Sequence, residues 1–413
     1  MKKVVFSATA LFCGAIMFAQ TANNVSDASS IGNANDVMVQ QSGIENKSAV
    51  RQEGNENSTA VTSTGVKNSS DVRQAGDNNT SNSTQTGDRN SSTVHQGYVH
   101  SGGGTGTIGN NNISEVTQSG NRNKSSVKQI NELNDPAGEY NQSNVNQDGD
   151  LNKSDVYQRG NYNIAGIEQI GNGNDSDINS RGDDNTADIS QKGDMNISGL
   201  TQRGDTNSAS SEIDGYGNNV SMNQTGDSNK AIVNATKSNP SFFSDNNTMD
   251  VTQLGDLNTM EIRVKGGDDN NITTNQEGNT NHSRIAVSGN ANTLKLDQIG
   301  NKNRGDWEIA AGYPPSANNN DVVVSVNGNE NIATGKIAGS DNNVNVSQTG
   351  NQNKVGTSWQ NKDGVIIIGD HNTSNITQTQ DMNNASSHQT GAGNLSDILQ
   401  LGNENRSTVV QGN

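Results

Sequence analysis

Residues 158–174 read QRGNYNIAGIEQIGNGN, and this stretch opens and closes on nearly the same phrase. Gln158, Gly160 and Asn163 return eleven residues later as Gln169, Gly171 and Asn174. The unit Asn-x-Ser/Ala-x-Val/Ile-x-Gln-x-Gly-x-x extends in both directions from here. One copy holds Asn46, Ser48, Val50, Gln52 and Gly54, and another holds Asn152, Ser154, Val156, Gln158 and Gly160. It occurs 31 times between Asn35 and Asn405, with an apolar residue four places after Asn in 25 copies and Gln six places after in 21. A register kept that long sets the architecture, so the repeat is read before any local element. The segment from Asn24 keeps the spacing through Ser26, Ala28 and Ser30 but lacks both Val and Gln, as a degenerate unit would.

The shared residues lie at even offsets within each unit, which is the period of one face of a β-strand. In the copy at Asn163, these are Asn163, Ala165, Ile167 and Gln169, and they face inward; the odd positions vary, are often charged, and face water. Glycines such as Gly54, Gly160 and Gly171 supply the turns, because glycine takes positive φ at little cost. Two units make a strand–turn–strand rung of 22 residues that buries one inner face against the other. Rungs stack in parallel, each residue over the one 22 places earlier. The expected fold is therefore all-β: a two-sheet parallel β-solenoid, a β-arch or cross-β column of about 15–16 rungs. Asn and Gln can occupy its interior because each amide finds a copy of itself one rung away, and a buried amide is costly only when unpaired. On this reading Ala165, Ile167 and Gln169 lie against Asn185–Gln191 of the next rung.

Composition alone points elsewhere. Only 28% of the 413 residues are hydrophobic and 3% aromatic, too little apolar surface for an ordinary globule. Periodicity and the scarcity of proline, 4 in the chain, argue against disorder. Residues 1–19 have the parts of a secretory signal peptide: Lys2-Lys3, an apolar run from Val4 to Phe18, and Met17-Phe18-Ala19 before the polar region. Residues 20–34 form a short polar segment and 35–413 the repeat domain. Cys13 would leave with the leader, so no disulfide or thiolate site is expected. The net charge of −17 disfavours nucleic acid and anionic membranes as partners, and the single short apolar run does not favour membrane insertion. Turns are expected to lengthen after Gln96, Gln129, Ala235, Ile309 and Trp359, with the pattern resuming at the next Asn.

The repeat, with Gln-x-Gly-x-x-Asn at its centre, resembles that of curlins, the subunits of bacterial curli fibres, over roughly residues 35–413. This chain departs from it in its length, its inserted turns, and units without Gln at Ser63, Ser180, Ile213, Val264 and Trp359. The resemblance implies secretion, passage through an outer-membrane curli secretion pore with periplasmic chaperones, and polymerisation outside the cell started by a minor nucleating curlin. Functionally it implies a homopolymeric amyloid fibre for adhesion and biofilm matrix; the alternative is a non-polymerising secreted or surface β-solenoid adhesin. Independently of the resemblance, an uncapped solenoid exposes unpaired backbone at each end. The terminal stacking strands would carry Asn35, Val37, Val39 and Gln41 at one end and Asn405, Ser407, Val409 and Gln411 at the other.

No cofactor or catalytic constellation is expected. Asp183, Asp205 and Asp227 are 22 apart and should stack along one edge. The plain reading is a solvated acidic edge that slows aggregation; the sharper one is weak calcium binding between rungs, although the repeat of calcium β-rolls is absent. The Asn-x-Ser/Thr triplets arise from the repeat, the five histidines are dispersed, and Trp307 and Trp359 fall at inward offsets.

Overall fold

The computed structural model describes residues 19–20, 23–97, 109–130, 139–236, 244–310, 317–356 and 363–412. Most of the expected leader, all four prolines and Trp359 lie outside these residues. The chain divides into two compact units, Met1–Asp150 with Val156–Tyr162, and Leu151–Asp155 with Asn163–Asn413. Among the described residues there is no helix. Both units are two-sheet parallel β-solenoids with rungs of about 22 residues.

In the first unit one sheet runs through Val25–Ile31, Lys47–Glu53, Ser69–Ala75, Ser91–Gln96 and Lys124–Gln129. The other runs through Asp36–Ile44, Ser58–Val66, Thr80–Thr86, Ile113–Ser119 and Gln142–Asp148. The second unit repeats the scheme: Ile164–Ile170 pairs with Thr186–Lys192, placing Ala165 beside Ala187, Ile167 beside Ile189 and Gln169 beside Gln191. The segment around Asn24 is a full strand, with Ser26, Ala28 and Ser30 opposite Ser48, Val50 and Gln52. Upstream of it, Ala19–Gln20 pairs with Gln41 and Ser42.

Alternation of side chains holds through these strands because one face of each is buried and a one-residue slip would expose it. Val61, Val116 and Val145 of one sheet and Val72, Val94 and Val127 of the other have no exposure in the first unit. Each such valine contributes about 1.5–3 kcal/mol by leaving water. The apolar core is only these two facing columns, so it is thin and its polar flanks must be satisfied internally.

One expectation fails. The insertion near Trp359 does not lie in a turn beyond a complete strand. Instead the strand stops at Lys354–Val355 and restarts at Val365–Ile368, both halves pairing with Ile332–Ala338. The inserted residues thus interrupt the strand itself, and Ile367, not Trp359, takes the sixth position, opposite Ile337. The neighbouring rungs are adapted to a bulky residue: a Cβ at Gly335 would lie 2.2 Å from the ring of Trp307, which is fully buried. Glycine at that position makes room for the indole.

Candidate functional site: ladders, corners and open edges

Each sheet carries two kinds of amide ladder beside the apolar core, one of glutamine and one of asparagine, and the two kinds run in opposite senses. In the first, the glutamine Nε2 donates forward along the chain: Gln52 to Gln74 at 2.9 Å, Gln74 to Gln96 at 2.9 Å and Gln129 to Gln158 at 2.9 Å. In the second, the asparagine Oδ1 accepts from the rung that follows. Asn46 Oδ1 takes the Asn68 N–H at 3.0 Å, and Asn163 Oδ1 takes the N–H and Nδ2 of Asn185 at 3.1 and 3.0 Å. Each asparagine then spends its own Nδ2 on a turn carbonyl one rung ahead: Asn46 on Gly65, Asn152 on Gly171 and Asn163 on Gly182, at 2.8–2.9 Å. Gln52, Gln158 and Gln169 each also donate to a backbone carbonyl across the core, those of Asp36, Gln142 and Lys153. Asn46, Gln52, Asn152, Val156, Gln158, Asn163 and Gln169 have no exposure, and Val50 and Ile167 have 3%. At two positions without glutamine a hydroxyl stands in for its donor, Ser63 and Ser180 donating to Gln85 and Gln202, whereas Ile213 and Val264 fill the position with buried apolar side chains.

The curlin-associated repeat family matches four stretches of the chain, residues 32–65, 149–181, 182–210 and 267–300. This is a curlin-like repeat protein. Comparison with curated proteins finds no match.

The serines of the curlin repeat behave differently from its amides. Ser48 and Ser154 are buried, yet their Oγ atoms have no hydrogen-bond partner, as at Ser92, Ser114 and Ser125. Alanine occupies the equivalent place at Ala165, Ala187 and Ala209. Met249, Met260, Ile272 and Leu294 stand at the same position further along, all buried, so it accepts side chains of any size that can do without a hydrogen bond.

The corners hold what sequence reasoning missed. Gly54, Gly160 and Gly171 take φ of 123°, 106° and 118°. A Cβ on Gly54 or Gly171 would sit 2.0 or 2.1 Å from the next turn's glycine carbonyl, so the rungs approach there as closely as bare backbone allows. Two residues later the chain again turns left-handed, now on ordinary residues: Glu56, Lys67, Arg89, Leu151, Tyr162 and Met195 have φ of 56–62°. Each costs roughly 1 kcal/mol. The cost is offset by a main-chain hydrogen bond to the rung before, Glu56 N–H to Asn33 O and Lys67 N–H to Ile44 O, both 2.9 Å. Between these two positions most corners have an Asp or Asn whose Oδ1 accepts the N–H of its counterpart one rung earlier, as Asn55 does for Asn33 and Asp88 for Val66.

Asp183, Asp205 and Asp227 are members of this corner column. The Asp183 N–H donates to Asp205 Oδ1 and the Asp205 N–H to Asp227 Oδ1, both at 2.8 Å, and the chain of bonds passes on through Asp256 and Asn279. The signal was present in the sequence as Asp or Asn after the turn glycine, but its recipient, a backbone amide a rung away, was not. Asparagine serves as well as aspartate, so the acceptor oxygen and not the charge is the shared property. Among the described residues no group of three or more His, Cys, Asp or Glu could hold a metal ion.

At the C-terminal end of the described structure the ladders are open, and at the N-terminal end only Ala19–Gln20 lies beyond Asp36–Ile44 in its sheet, pairing with Gln41 and Ser42. Val37, Val39 and Gln41 are 4–7% exposed and Asn35 is half-buried, while Ser407, Val409 and Gln411 are half-buried like Asn405. Asn405 donates twice to Asn383 Oδ1, at 3.0 and 2.9 Å, but its own Oδ1 accepts nothing. Gln411 donates to Leu395 O at 2.7 Å and lacks the forward glutamine acceptor that Gln389 has in it. At the other end Gln41 Nε2 donates to Val25 O, and among the described residues its Oε1 has no donor.

Proposed function

We propose that this curli-like protein is the structural subunit of an extracellular fibre, built by stacking the C-terminal rung of one copy on the N-terminal rung of the next, and that the fibre serves surface adhesion and biofilm matrix. The observation that carries the reading is the polarity of the open ladders. Continuing the winding places a second copy's Val25–Ile31 on Leu395–Leu401 and its Asp36–Ile44 on Arg406–Gly412. In that register Asn405 Oδ1 receives the donors of Asn35, and Gln411 Nε2 finds Gln41 Oε1, so every missing partner at one end is supplied by the other. Outside the core, Arg406 comes to lie over Asp36, neither being ion-paired within its own chain, and exposed Leu395 and Leu401 come to lie over exposed Val25 and Ile31. One like-charge contact, Asp397 over Asp27, opposes it and is solvent-exposed, hence weak. Because the two ladders run in opposite senses, each end offers one donor and one acceptor, and head-to-tail stacking satisfies both in the register that the rungs already keep.

By the same family likeness the partners are the chain itself, a minor nucleating curlin, an outer-membrane pore and periplasmic chaperones, with the leader removed on export. Electron microscopy of the leaderless protein after long incubation should show unbranched, detergent-resistant fibres. Arg406→Glu should slow elongation at least several-fold, and mixing it with Asp36→Arg should restore heterotypic growth. A sharp monomer peak on sizing at high concentration, with no fibres on incubation, would overturn the reading and favour a non-polymerising surface rod.

A further inference from the structure

One outer face of the first unit carries a pattern of charge that neither the core nor end-to-end stacking uses. On the sheet that begins at Val25–Ile31, the outward position five residues after each asparagine reads Ser29, Arg51, Arg73, His95 and Lys128. The register sets Ser29 beside Arg51, Arg51 beside Arg73, Arg73 beside His95 and His95 beside Lys128. Adjacent members are therefore about 4.8 Å apart at the backbone. Lys47 and Lys124 stand on the same face at the first outward position.

Elsewhere the chain sets opposite charges one rung apart: Lys153 with Asp175 at 3.1 Å, Lys67 with Glu45 at 3.3 Å, Lys302 with Glu330 at 3.6 Å and Lys336 with Glu308 at 3.7 Å. Here no carboxylate stands in line. Among the described residues the only acids on the face are Asp27, Asp71 and Glu53, and two of these are engaged along their own strands, Asp71 with Arg73 at 3.0 Å and Glu53 with Arg51 at 3.6 Å. His95 is half-buried between Arg73 and Lys128, and its Nε2 has no hydrogen-bond partner. Burial holds its pKa below the ordinary imidazole value, Arg73 and Lys128 press it lower, and Asp71 opposes them. Arg51 and Arg73 stand one rung apart and repel each other, and His95, kept neutral, spaces Lys128 from them. In a chain of net charge −17, this face is one where cations outnumber acids, and an external anion lying along the column would meet net positive charge.

We infer that this column is a docking ridge for a linear polyanion, specifically an acidic polysaccharide carrying one carboxylate per sugar. The ridge is a single file, one basic side chain per rung, which suits a single chain of regularly spaced charges. A nucleic-acid duplex presents two rows of phosphates, and its outer row would meet Asp27, Asp71 and Glu53 on the flank. Ser69, Ser91, Thr93 and Ser126, outward on the same strands, are placed to exchange hydrogen bonds with sugar hydroxyls. The inference does not depend on fibre formation, since every residue named belongs to one chain.

The test is binding of the full leaderless chain to a defined oligogalacturonate, followed by fluorescence anisotropy across a salt series. Arg73→Thr with Lys128→Ser uses residue types the repeat already places outward, and circular dichroism checks that the fold is kept. The double variant should bind about tenfold more weakly, a loss of about 1.4 kcal/mol, with a shallower salt dependence. The control Lys265→Thr with Lys336→Thr, on the second unit, should leave affinity unchanged. Equal loss in the control, equal binding of an uncharged glucan of the same length, or tighter binding of charge-matched duplex DNA would each overturn the inference.

Discussion

Replacing Asn196 by Asp changes one NH2 for an oxygen and almost nothing else in size, so it isolates the hydrogen bonds of the ladder from its packing. Asn196 has no exposure. Its Oδ1 accepts the N–H and Nδ2 of Asn218 at 3.0 and 3.2 Å, and an aspartate would keep both contacts. Its Nδ2 donates to Asn174 Oδ1 at 3.2 Å and to Gly215 O at 2.8 Å, and an aspartate oxygen would face those two oxygens with nothing to give. Two lost hydrogen bonds are worth about 1 kcal/mol each. Leaving a buried charge without a partner raises the total to about 3–5 kcal/mol. In urea, with unfolding followed by the fluorescence of buried Trp307, this is a fall of about 1–2.5 M in midpoint if m is about 2–3 kcal/mol/M. The deficit should also depend on pH. Burial raises the folded-state pKa of the new carboxyl, so the penalty is complete above that pKa and is lost below the unfolded value of about 3.9. At pH 3 the protonated acid can donate to Gly215 O, and the variant should approach the native protein measured at the same pH. Equal stability at pH 7, or a deficit that does not shrink at pH 3, would refute the view that stacked amides hold this core.

Further outcomes follow from other positions. Gly204 has φ of 110° and a Cβ there would lie 2.3 Å from Gly226 O, whereas a Cβ on Gly199 meets nothing within 4 Å. Gly204→Ala should therefore cost several kcal/mol in thermal or urea unfolding, and Gly199→Ala should be neutral or stabilising by about 0.5 kcal/mol. Asp205→Asn keeps the acceptor for the Asp183 N–H and should leave urea stability unchanged or improved, while Asp205→Ala should cost about 1 kcal/mol. Ser114→Ala removes a buried hydroxyl without a partner and should raise the unfolding midpoint or leave it unchanged. The pKa of Asp177 is raised by burial, with Asp155 adding repulsion. A raised folded pKa means the ionised carboxylate destabilises at neutral pH, so Asp177→Asn should stabilise at pH 7, with the gain vanishing below about pH 3.9.

How far the residues themselves announced this structure varies by position. Val50, Val156 and Ile167 were legible as inward because an apolar residue at an even offset, repeated in register, has only one face to occupy. Gln52 and Asn46 were legible as ladder members because a buried amide requires a partner and the repeat supplies one. Ser48 and Ser154 were placed correctly on the inner face, but only packing shows that their hydroxyls go unused. Trp359 misled: counting offsets through an insertion assumes the strand is continuous, and between Val355 and Val365 it is not.

By itself the sequence determined the strand period, the 22-residue rung, the inner face and the places of the turn glycines, since each follows from a local pattern and a local steric rule. The tertiary structure decided what depends on the neighbouring rung. It set the glutamine and asparagine ladders running in opposite senses and made corner aspartates such as Asp205 acceptors for backbone amides. It held Glu56 and Lys67 left-handed against the rung before. It also lined up Arg51, Arg73, His95 and Lys128 across insertions that separate them unevenly along the chain. These are contacts between residues 22 or more apart, and their geometry exists only once one rung lies on another.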